Sequence, residues 1–141
     1  MKTRLSVCLL LLAVLFACKK EKDEPAPDRR TLLTGRAWRL NQVLVNGVAI
    51  TDPTQLALLG PLNGATVRFN DDGTLTATQA GGAVTNGTWA FGSTQDQLVA
   101  TLGGQNYTFT ILQLDTTQLV LTTPYTYLGI TVTGELRMVP A

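Results

Sequence analysis

The sequence predicts an all-β domain, an eight-stranded antiparallel up-and-down barrel with one short helix between its first two strands. Short segments alternate apolar and polar residues, and turn signals such as Asn-Gly and Gly-Gly separate them about every ten residues, which is typical of an antiparallel barrel or sandwich. β-branched threonine is abundant after residue 30, whereas glutamate and lysine, which favour helices, are almost missing there. Eight strands are the fewest that close a barrel with an interior for side chains or one small ligand.

The alternating segments place the strands in order. They cover residues 36–45, 65–70, 74–79, 88–91, 97–102, 105–114, 118–122 and 125–139. Apolar residues two apart share a face, as Trp38, Leu40 and Leu44 do in the first segment, and this face is expected to turn inward. Asn46-Gly47 predicts a turn after the first strand, and Asn70-Asp71-Asp72-Gly73 predicts a tight hairpin between the second and third.

One segment breaks the alternation, between the first two strands. Asp52 is a helix-capping residue, Pro53 suits the first helical position, Gln55 stands three residues after the cap, and Gly60 can end a helix. Residues 52–60 are therefore predicted to form a helix of two turns. Its leucines either cover one end of the barrel or lie across the barrel mouth as a lid: Leu56, Leu58 and Leu59.

Residues 1–17 have the pattern of a secretory signal peptide. Lys2 and Arg4 precede an apolar run over residues 5–17 that ends in a small residue, Ala17. The run is shorter than the roughly twenty residues that a membrane-spanning helix requires, and a retained single-span anchor is the alternative. These residues are excluded from the folded domain.

The end of this segment, Leu15-Phe16-Ala17-Cys18, resembles the lipobox of bacterial lipoproteins, with leucine three before the cysteine and a small residue directly before it. The resemblance implies that Cys18 carries diacylglycerol and that cleavage before it frees an N-terminus for a further acyl chain such as palmitate. Two or three acyl chains hold a protein firmly to a membrane. Cys8 leaves with the signal peptide, so a modified Cys18 excludes both a disulfide and a thiol nucleophile.

Residues 18–30 are predicted to form a solvated tether, because they are charged, contain proline and lack large apolar residues. A lysine and acidic run directly after the lipidated cysteine resembles the surface-export signal of lipoproteins from Bacteroidota, and a simple spacer is the alternative. The protein is thus expected at the bacterial cell envelope, lipid-anchored to the outer membrane and either periplasmic or surface-exposed. The barrel domain is expected over residues 31–141.

Three motifs of the domain occur in an order that is known from one group of barrel proteins. They are Leu33-Thr34-Gly35-Arg36-Ala37-Trp38-Arg39-Leu40, Phe69-Asn70-Asp71-Asp72-Gly73-Thr74 and Gly87-Thr88-Trp89. This order resembles the lipocalin-like domains of small lipoproteins of the Bacteroidota type, whose functions are mostly uncharacterised. The resemblance covers residues 31–139 and implies a lipocalin or calycin-like barrel.

The resemblance also implies one contact at a barrel end. Lipocalins pack a basic residue near the end of the last strand over the tryptophan of the first strand. Arg137 is the basic residue of the predicted last strand, so its guanidinium is expected to stack on the Trp38 indole.

The charges and the missing residue types exclude several functions. Between Thr31 and Ala141, four arginines and six carboxylates leave a net charge of −2 without a basic patch, which argues against nucleic-acid binding. The chain has no histidine, so with Cys18 modified we expect neither an enzyme nor a bound metal or cofactor. Asp71 and Asp72 fit turn chemistry better than a calcium loop, because Arg68 occupies a position that a ligand would need.

Aromatic residues on the inward faces are the candidates for lining a ligand pocket, and plain core packing is their alternative role: Trp38, Phe69, Trp89, Phe91, Tyr107 and Phe109. One hypothesis is that a monomeric barrel binds a small apolar or amphipathic molecule in its interior. The other is a solid-core interaction or structural module that engages a protein or glycan at the cell envelope. The inward alanines Ala65, Ala77 and Ala100 favour internal room, and a cavity of several hundred Å³ would support the first hypothesis.

Overall fold

The computed structural model of the protein describes residues 27–127 and 129–141, without the side chain of Tyr127. The predicted signal peptide, Cys18 and most of the tether lie outside the described residues. In chain order the elements are α1 (Arg29–Thr34), β1 (Ala37–Val45), β2 (Val48–Ala49), α2 (Pro53–Ala57), a 3₁₀ turn (Gly60–Leu62), β3 (Thr66–Phe69), β4 (Thr74–Thr78), β5 (Val84–Phe91), β6 (Gln97–Leu102), β7 (Gln105–Leu114), β8 (Leu119–Tyr127) and β9 (Ile130–Pro140).

The strands form one antiparallel sheet that closes on itself. From β3 to β9 each strand pairs with the next along the chain, and β1 pairs with β3 on one side and β9 on the other. The closing register runs from Trp38 opposite Pro140 to Val45 opposite Gly134. β2 adds only a two-residue pairing to the end of β1. The predicted eight-stranded up-and-down barrel, with a short helix after its first strand, is confirmed.

The last two strands divide at a different place from the one predicted. The sequence placed the break at residues 123–124, but β8 continues through Pro124, which lies opposite Thr133 of β9. The actual turn follows Tyr127 and includes Gly129, whose φ of 78° is a conformation that glycine adopts without strain. Proline was the misleading signal, since a strand tolerates it where no ladder bond needs its missing amide hydrogen.

The inward faces of all eight barrel strands supply the buried core. A β-bulge between Leu40 and Gln42 shifts the alternation of β1, so that Val43 and Val45 turn inward beyond it. The prediction that Leu44 shares the inward face of Trp38 was therefore wrong, because a bulge reverses which residues face the core. The core cluster comprises Leu33, Trp38, Val43, Ala65, Val67, Phe69, Leu75, Ala77, Trp89, Leu98, Ala100, Leu102, Phe109, Ile111, Leu119, Leu121, Leu136 and Met138.

The up-and-down order gives the barrel two different ends. The turns after β3, β5 and β7 lie at one end, which we call the closed end because α1 packs there. The turns after β1, β4, β6 and β8 lie at the other end, the mouth. Neither helix in the described part of the chain is long and apolar enough to cross a membrane.

The closed end is covered by α1, a helix that the sequence analysis did not foresee. Leu33 of α1 is fully buried in the core, and its carbonyl accepts a hydrogen bond from the Trp38 indole at 2.9 Å. Arg29 forms an ion pair of 3.0 Å with Asp96, in the turn before β6. Because α1 begins at Arg29, the folded domain starts before the predicted boundary at Thr31.

The predicted helix after the first strand lies at the mouth. The Asp52 side chain caps α2 by accepting from the amides of Thr54 (2.7 Å) and Gln55 (3.4 Å), and Pro53 takes the first helical position as predicted. The helix ends at Ala57, and a 3₁₀ turn follows at Gly60–Leu62. Leu56, Leu58 and Leu59 lie across the mouth, which is one of the two positions expected for them.

Candidate functional site

A large cavity occupies the mouth half of the barrel. Its volume is about 730 Å³, and it lies between α2 and the inner surface formed by β7, β8, β9 and β1. Leu58 and Ile130 stand at its rim, with 56% and 67% of their surfaces exposed. The lining residues are Val43, Val45, Ile50, Gln55, Leu56, Leu58, Leu59, Leu62, Asn106, Tyr107, Thr108, Phe109, Thr123, Pro124, Tyr125, Ile130, Val132, Gly134 and Leu136.

A second, much smaller cavity lies deeper in the barrel. Its volume is about 30 Å³, which is room for only one or two water molecules. Leu62, Tyr107, Phe109 and Leu136 line both cavities, so the two lie next to each other. Ala100 lines it too, which gives one of the predicted small inward residues a direct part in the internal room.

Three of the six aromatic candidates lie at these cavities. Tyr107 and Phe109 line both of them, with their rings stacked at 5.9 Å between centroids and 9° between planes. Phe69 lines the small inner cavity. Their inward direction follows from the alternation of β7 and β3, as the sequence predicted.

The other three candidates, Trp38, Trp89 and Phe91, do not line either cavity in the described part of the chain. Trp89 packs edge-on between Phe69 and Phe91, at centroid distances of 5.7 and 5.4 Å, and its indole donates to Asn70 O at 2.9 Å. These rings fill the closed half as core. Trp38 and Trp89 point inward as expected, but at the end of the barrel that α1 and the hairpin turns occupy.

The expected stacking of Arg137 on Trp38 is replaced by another contact. Leu136 and Met138 of β9 are buried, so the intervening Arg137 points to the outer face, where its Nε lies 2.6 Å from Glu135 Oε1. The guanidinium near the fully buried Trp38 is that of Arg36, 5.8 Å from the ring centroid. Arg36 also donates to Thr116 O. The prediction chose the wrong arginine because it did not take the alternation of β9 into account.

Several lining residues were missed by sequence reasoning. Val43 and Val45 were missed because of the bulge in β1, and Val132 and Gly134 because the end of β8 was misplaced. The alternation of β9 could have identified Gly134 as an inward residue, since Gly134, Leu136 and Met138 are two apart and all buried. A glycine on an inward face is a mark of internal room, because it contributes no side chain.

The aspartates outside the cavity stabilise turns of the chain by accepting hydrogen bonds. The hydroxyl and amide of Thr74 donate to Asp72 at 2.6 and 2.8 Å and hold the pKa of Asp72 below its ordinary value of 3.8. The neighbouring Asp71 accepts from the Thr34 hydroxyl at 2.7 Å, which ties the hairpin to α1. Within the described residues, no three Asp, Glu, Cys or His side chains form a group that could hold a metal ion.

Comparison with solved structures identifies the fold as lipocalin-like. A lipocalin-like protein from Bacteroides uniformis superimposes with a TM-score of 0.52 at 14% identity, covering 78% of this chain and 99% of that one. Bovine odorant binding protein, solved in complex with a selenium-containing odorant, superimposes with a TM-score of 0.51 at 20% identity, covering 85% of this chain and 77% of its own. No family model and no curated protein matches the sequence.

Proposed function

We propose that this barrel binds a small apolar or amphipathic molecule in the cavity at its mouth. The observation that carries the proposal is the volume of about 730 Å³ behind a largely hydrophobic lining. Small-molecule sites in proteins are typically about 300–1,000 Å³, mostly apolar and few in number. The alternative function, a solid-core module, requires a filled interior, and the cavity argues against it.

The lining supports binding rather than catalysis. Its polar side chains are amides and hydroxyls, namely Gln55, Asn106, Tyr107, Thr108, Thr123 and Tyr125. Such groups orient a ligand by hydrogen bonding, whereas general acid–base chemistry usually needs a histidine, carboxylate or lysine at the reacting atoms. Bovine odorant binding protein was solved in complex with an odorant, and its likeness in fold supports a small ligand for this barrel, which we propose acts as a monomer.

The test is a fluorescence titration with the neutral apolar probe N-phenyl-1-naphthylamine. The protein is the mature chain from residue 18 with Cys18→Ser, so that no acyl group is present to compete for the cavity. Saturable enhancement with one probe per barrel is the expected result. No saturable enhancement, in a sample with a cooperative unfolding transition, would exclude an internal site.

We further propose that the barrel is a lipoprotein anchored to the outer membrane of a bacterial envelope through acylated Cys18. The support is the sequence Leu15-Phe16-Ala17-Cys18 together with the charged tether that follows it. A chain from Cys18 to Asp28 spans at most about 36 Å when extended. Because α1 begins at Arg29 on the closed end, the tether joins the barrel there, and the mouth is at the opposite end.

Cys18→Ser tests the anchor. In cells fed a palmitate analogue suited to click chemistry, the wild-type protein is expected to be labelled and to enter the detergent phase, whereas Cys18→Ser does neither. Cys8→Ser is the matched control, because Cys8 lies within the predicted signal peptide, and it should be labelled like wild type. Equal labelling of wild type and Cys18→Ser would reject the anchor without affecting the cavity.

A further inference from the structure

The wall of the barrel is split between β7 and β8 on the mouth side. The pairing of these two strands reaches Thr110 opposite Thr122 and ends there. β7 nevertheless begins at Gln105, and β8 continues to Tyr127 while pairing with β9. We call this unpaired stretch, residues 105–109 of β7 and 123–127 of β8, the split.

The direction of the backbone shows which groups face the split. The amide of Ile111 donates to Asp96 O at 2.7 Å, so the amide and carbonyl of Ile111 point toward β6. Successive residues of a strand point these groups to opposite sides. The backbone groups of Thr110, Thr108 and Asn106 therefore point toward β8, and those of Thr108 and Asn106 lie beyond the last paired residue, at the split.

Pro124 explains why the ladder stops. Continuing the register from Thr110 and Thr122, Pro124 is the residue opposite Thr108. Proline has no amide hydrogen and cannot donate to the carbonyl of Thr108, so one of the two bonds of the next ladder pair cannot form. On its other side, Pro124 keeps its place opposite Thr133 of β9, so β8 remains part of the sheet.

The split opens into the cavity. The cavity is lined by the consecutive residues 106–109 of β7 and 123–125 of β8. Side chains of a strand alternate between its two faces, so an intact wall would contribute only every second residue. Asn106 and Thr108 are exposed residues of the outer face and still line the cavity, because the cavity reaches the edge of β7.

The cavity offers hydrogen bonds but no charge. Among the described residues, none of its lining side chains is Asp, Glu, Lys or Arg. On β9 the nearby charges Glu135 and Arg137 lie on the outer face and pair with each other at 2.6 Å. An ionised group brought into such a cavity loses its hydration without gaining an opposite charge, which is strongly unfavourable.

We infer that the ligand is an uncharged amphiphile, with an apolar body in the cavity and a hydroxyl, carbonyl or amide group at the split. There the backbone groups of Thr108 and Asn106 supply both a donor and an acceptor for the polar group of the ligand. This inference rests on the proposed internal site. It adds that fatty acids and alkyl ammonium ions, which also carry an apolar chain but bear a charge, bind more weakly than an uncharged amphiphile.

A matched ligand series tests the charge rule. Decan-1-ol, decanoate and decylammonium have the same chain length, and at pH 7.5 the last two are ionised. Each compound is titrated as a competitor of N-phenyl-1-naphthylamine bound to the mature chain carrying Cys18→Ser. Decan-1-ol is expected to bind at least tenfold more tightly than either ion. Equal or tighter binding of decanoate or decylammonium overturns this inference but leaves the internal site intact, whereas failure of the probe itself to bind rejects the internal site.

Pro124→Val tests the split itself. Valine supplies the missing amide hydrogen opposite Thr108, and its side chain suits a strand, so the ladder can close. The affinity for decan-1-ol is expected to fall at least fivefold relative to that for N-phenyl-1-naphthylamine. Pro140→Val is the matched control, because Pro140 ends β9 at the closed end, opposite Trp38. It should leave the ratio of the two affinities unchanged. An unchanged ratio in Pro124→Val overturns the placement of the polar group.

Discussion

The guanidinium of Arg30 lies 4.9 Å from the centre of the Trp89 ring, and its Nη2 donates to Asp71 O at 2.7 Å. Arg30 belongs to α1, whereas Trp89 is a core residue of β5 and Asp71 lies in the hairpin after β3. A residue at the very start of the folded domain thus joins two elements that are distant in the chain. This contact, with the burial of Leu33, holds α1 over the closed end.

Arg30→Ala should therefore destabilise the domain by about 1 kcal/mol, since a partly exposed cation–π contact is worth about 0.5–1 kcal/mol and the stem also packs. Urea denaturation followed by tryptophan fluorescence measures the loss. Arg39→Ala is the control, because Arg39 is exposed on the outer face of β1. If both variants lose the same stability, the contact of Arg30 with Trp89 contributes nothing.

Trp89→Ala should cost about 3–5 kcal/mol, because it empties a large buried volume between Phe69 and Phe91. Differential scanning calorimetry or urea denaturation gives the change. Val84→Ala on the same strand is the control, since Val84 is exposed and should change stability by less than about 0.5 kcal/mol. A loss below about 1 kcal/mol in Trp89→Ala would mean that this ring is not part of the core.

The turn carboxylates predict how stability depends on pH. The Gln113 side-chain amide and the Thr117 hydroxyl each donate to Asp115 at 2.7 Å, and they hold the pKa of Asp115 well below its ordinary value of 3.8. Asp72 is shifted in the same direction by Thr74. A carboxyl whose pKa is lowered by folding stabilises the folded state above its unfolded pKa, and this stabilisation is lost as the pH falls toward the folded pKa.

The melting temperature should accordingly be flat from neutral pH to about pH 5 and fall below about pH 4. Asp115→Asn removes one of these two carboxyls with a lowered pKa, so its melting temperature should fall less steeply over the same acid range. Thermal melts at several pH values below 5 give both curves. Parallel curves for wild type and Asp115→Asn would show that Asp115 contributes nothing to the acid sensitivity.

The fold could be predicted from local patterns. The alternation within each barrel strand indicates its inward face, and each turn contains residue types that favour turns. Asn46 and Gly47, with φ of 49° and 80°, form the turn that their identities predicted, and Gly73 takes the positive φ of the predicted hairpin. Asp52 caps α2 as predicted. Such signals involve neighbouring residues only, so no knowledge of tertiary contacts was needed.

The candidate site was harder to predict because it depends on relations between strands. An inward ring packs in the core if it lies near the closed end, as Trp89 does, and lines the cavity if it lies near the mouth, as Tyr107 does. The alternation of apolar and polar residues does not show which end is open. Bulges in β1 and in β7, beside Gln113, change which residues face inward without a mark in the sequence. Arg30 was assigned to the predicted tether because it lies in a charged segment. The sequence does not show that its partners, Trp89 and Asp71, are distant in the chain.

The central claim is that the cavity at the mouth is the ligand site, and Gly134 offers the most direct test of it. Gly134 faces inward opposite Val45, and a Cβ placed on it would meet the Thr123 carbonyl oxygen at 3.6 Å and Thr123 Cγ2 at 3.9 Å, which are ordinary contacts. Gly134→Leu should therefore fold and fill part of the cavity. Thr133→Leu is the matched control, because it adds the same side chain to the exposed outer face next to it.

The measurement is the dissociation constant of N-phenyl-1-naphthylamine for wild type, Gly134→Leu and Thr133→Leu, with a thermal melt of each. We expect Gly134→Leu to lose at least tenfold in affinity while keeping a cooperative melt, and Thr133→Leu to bind like wild type. Probe binding that is equally tight in all three proteins would contradict the claim and place the binding site outside the cavity.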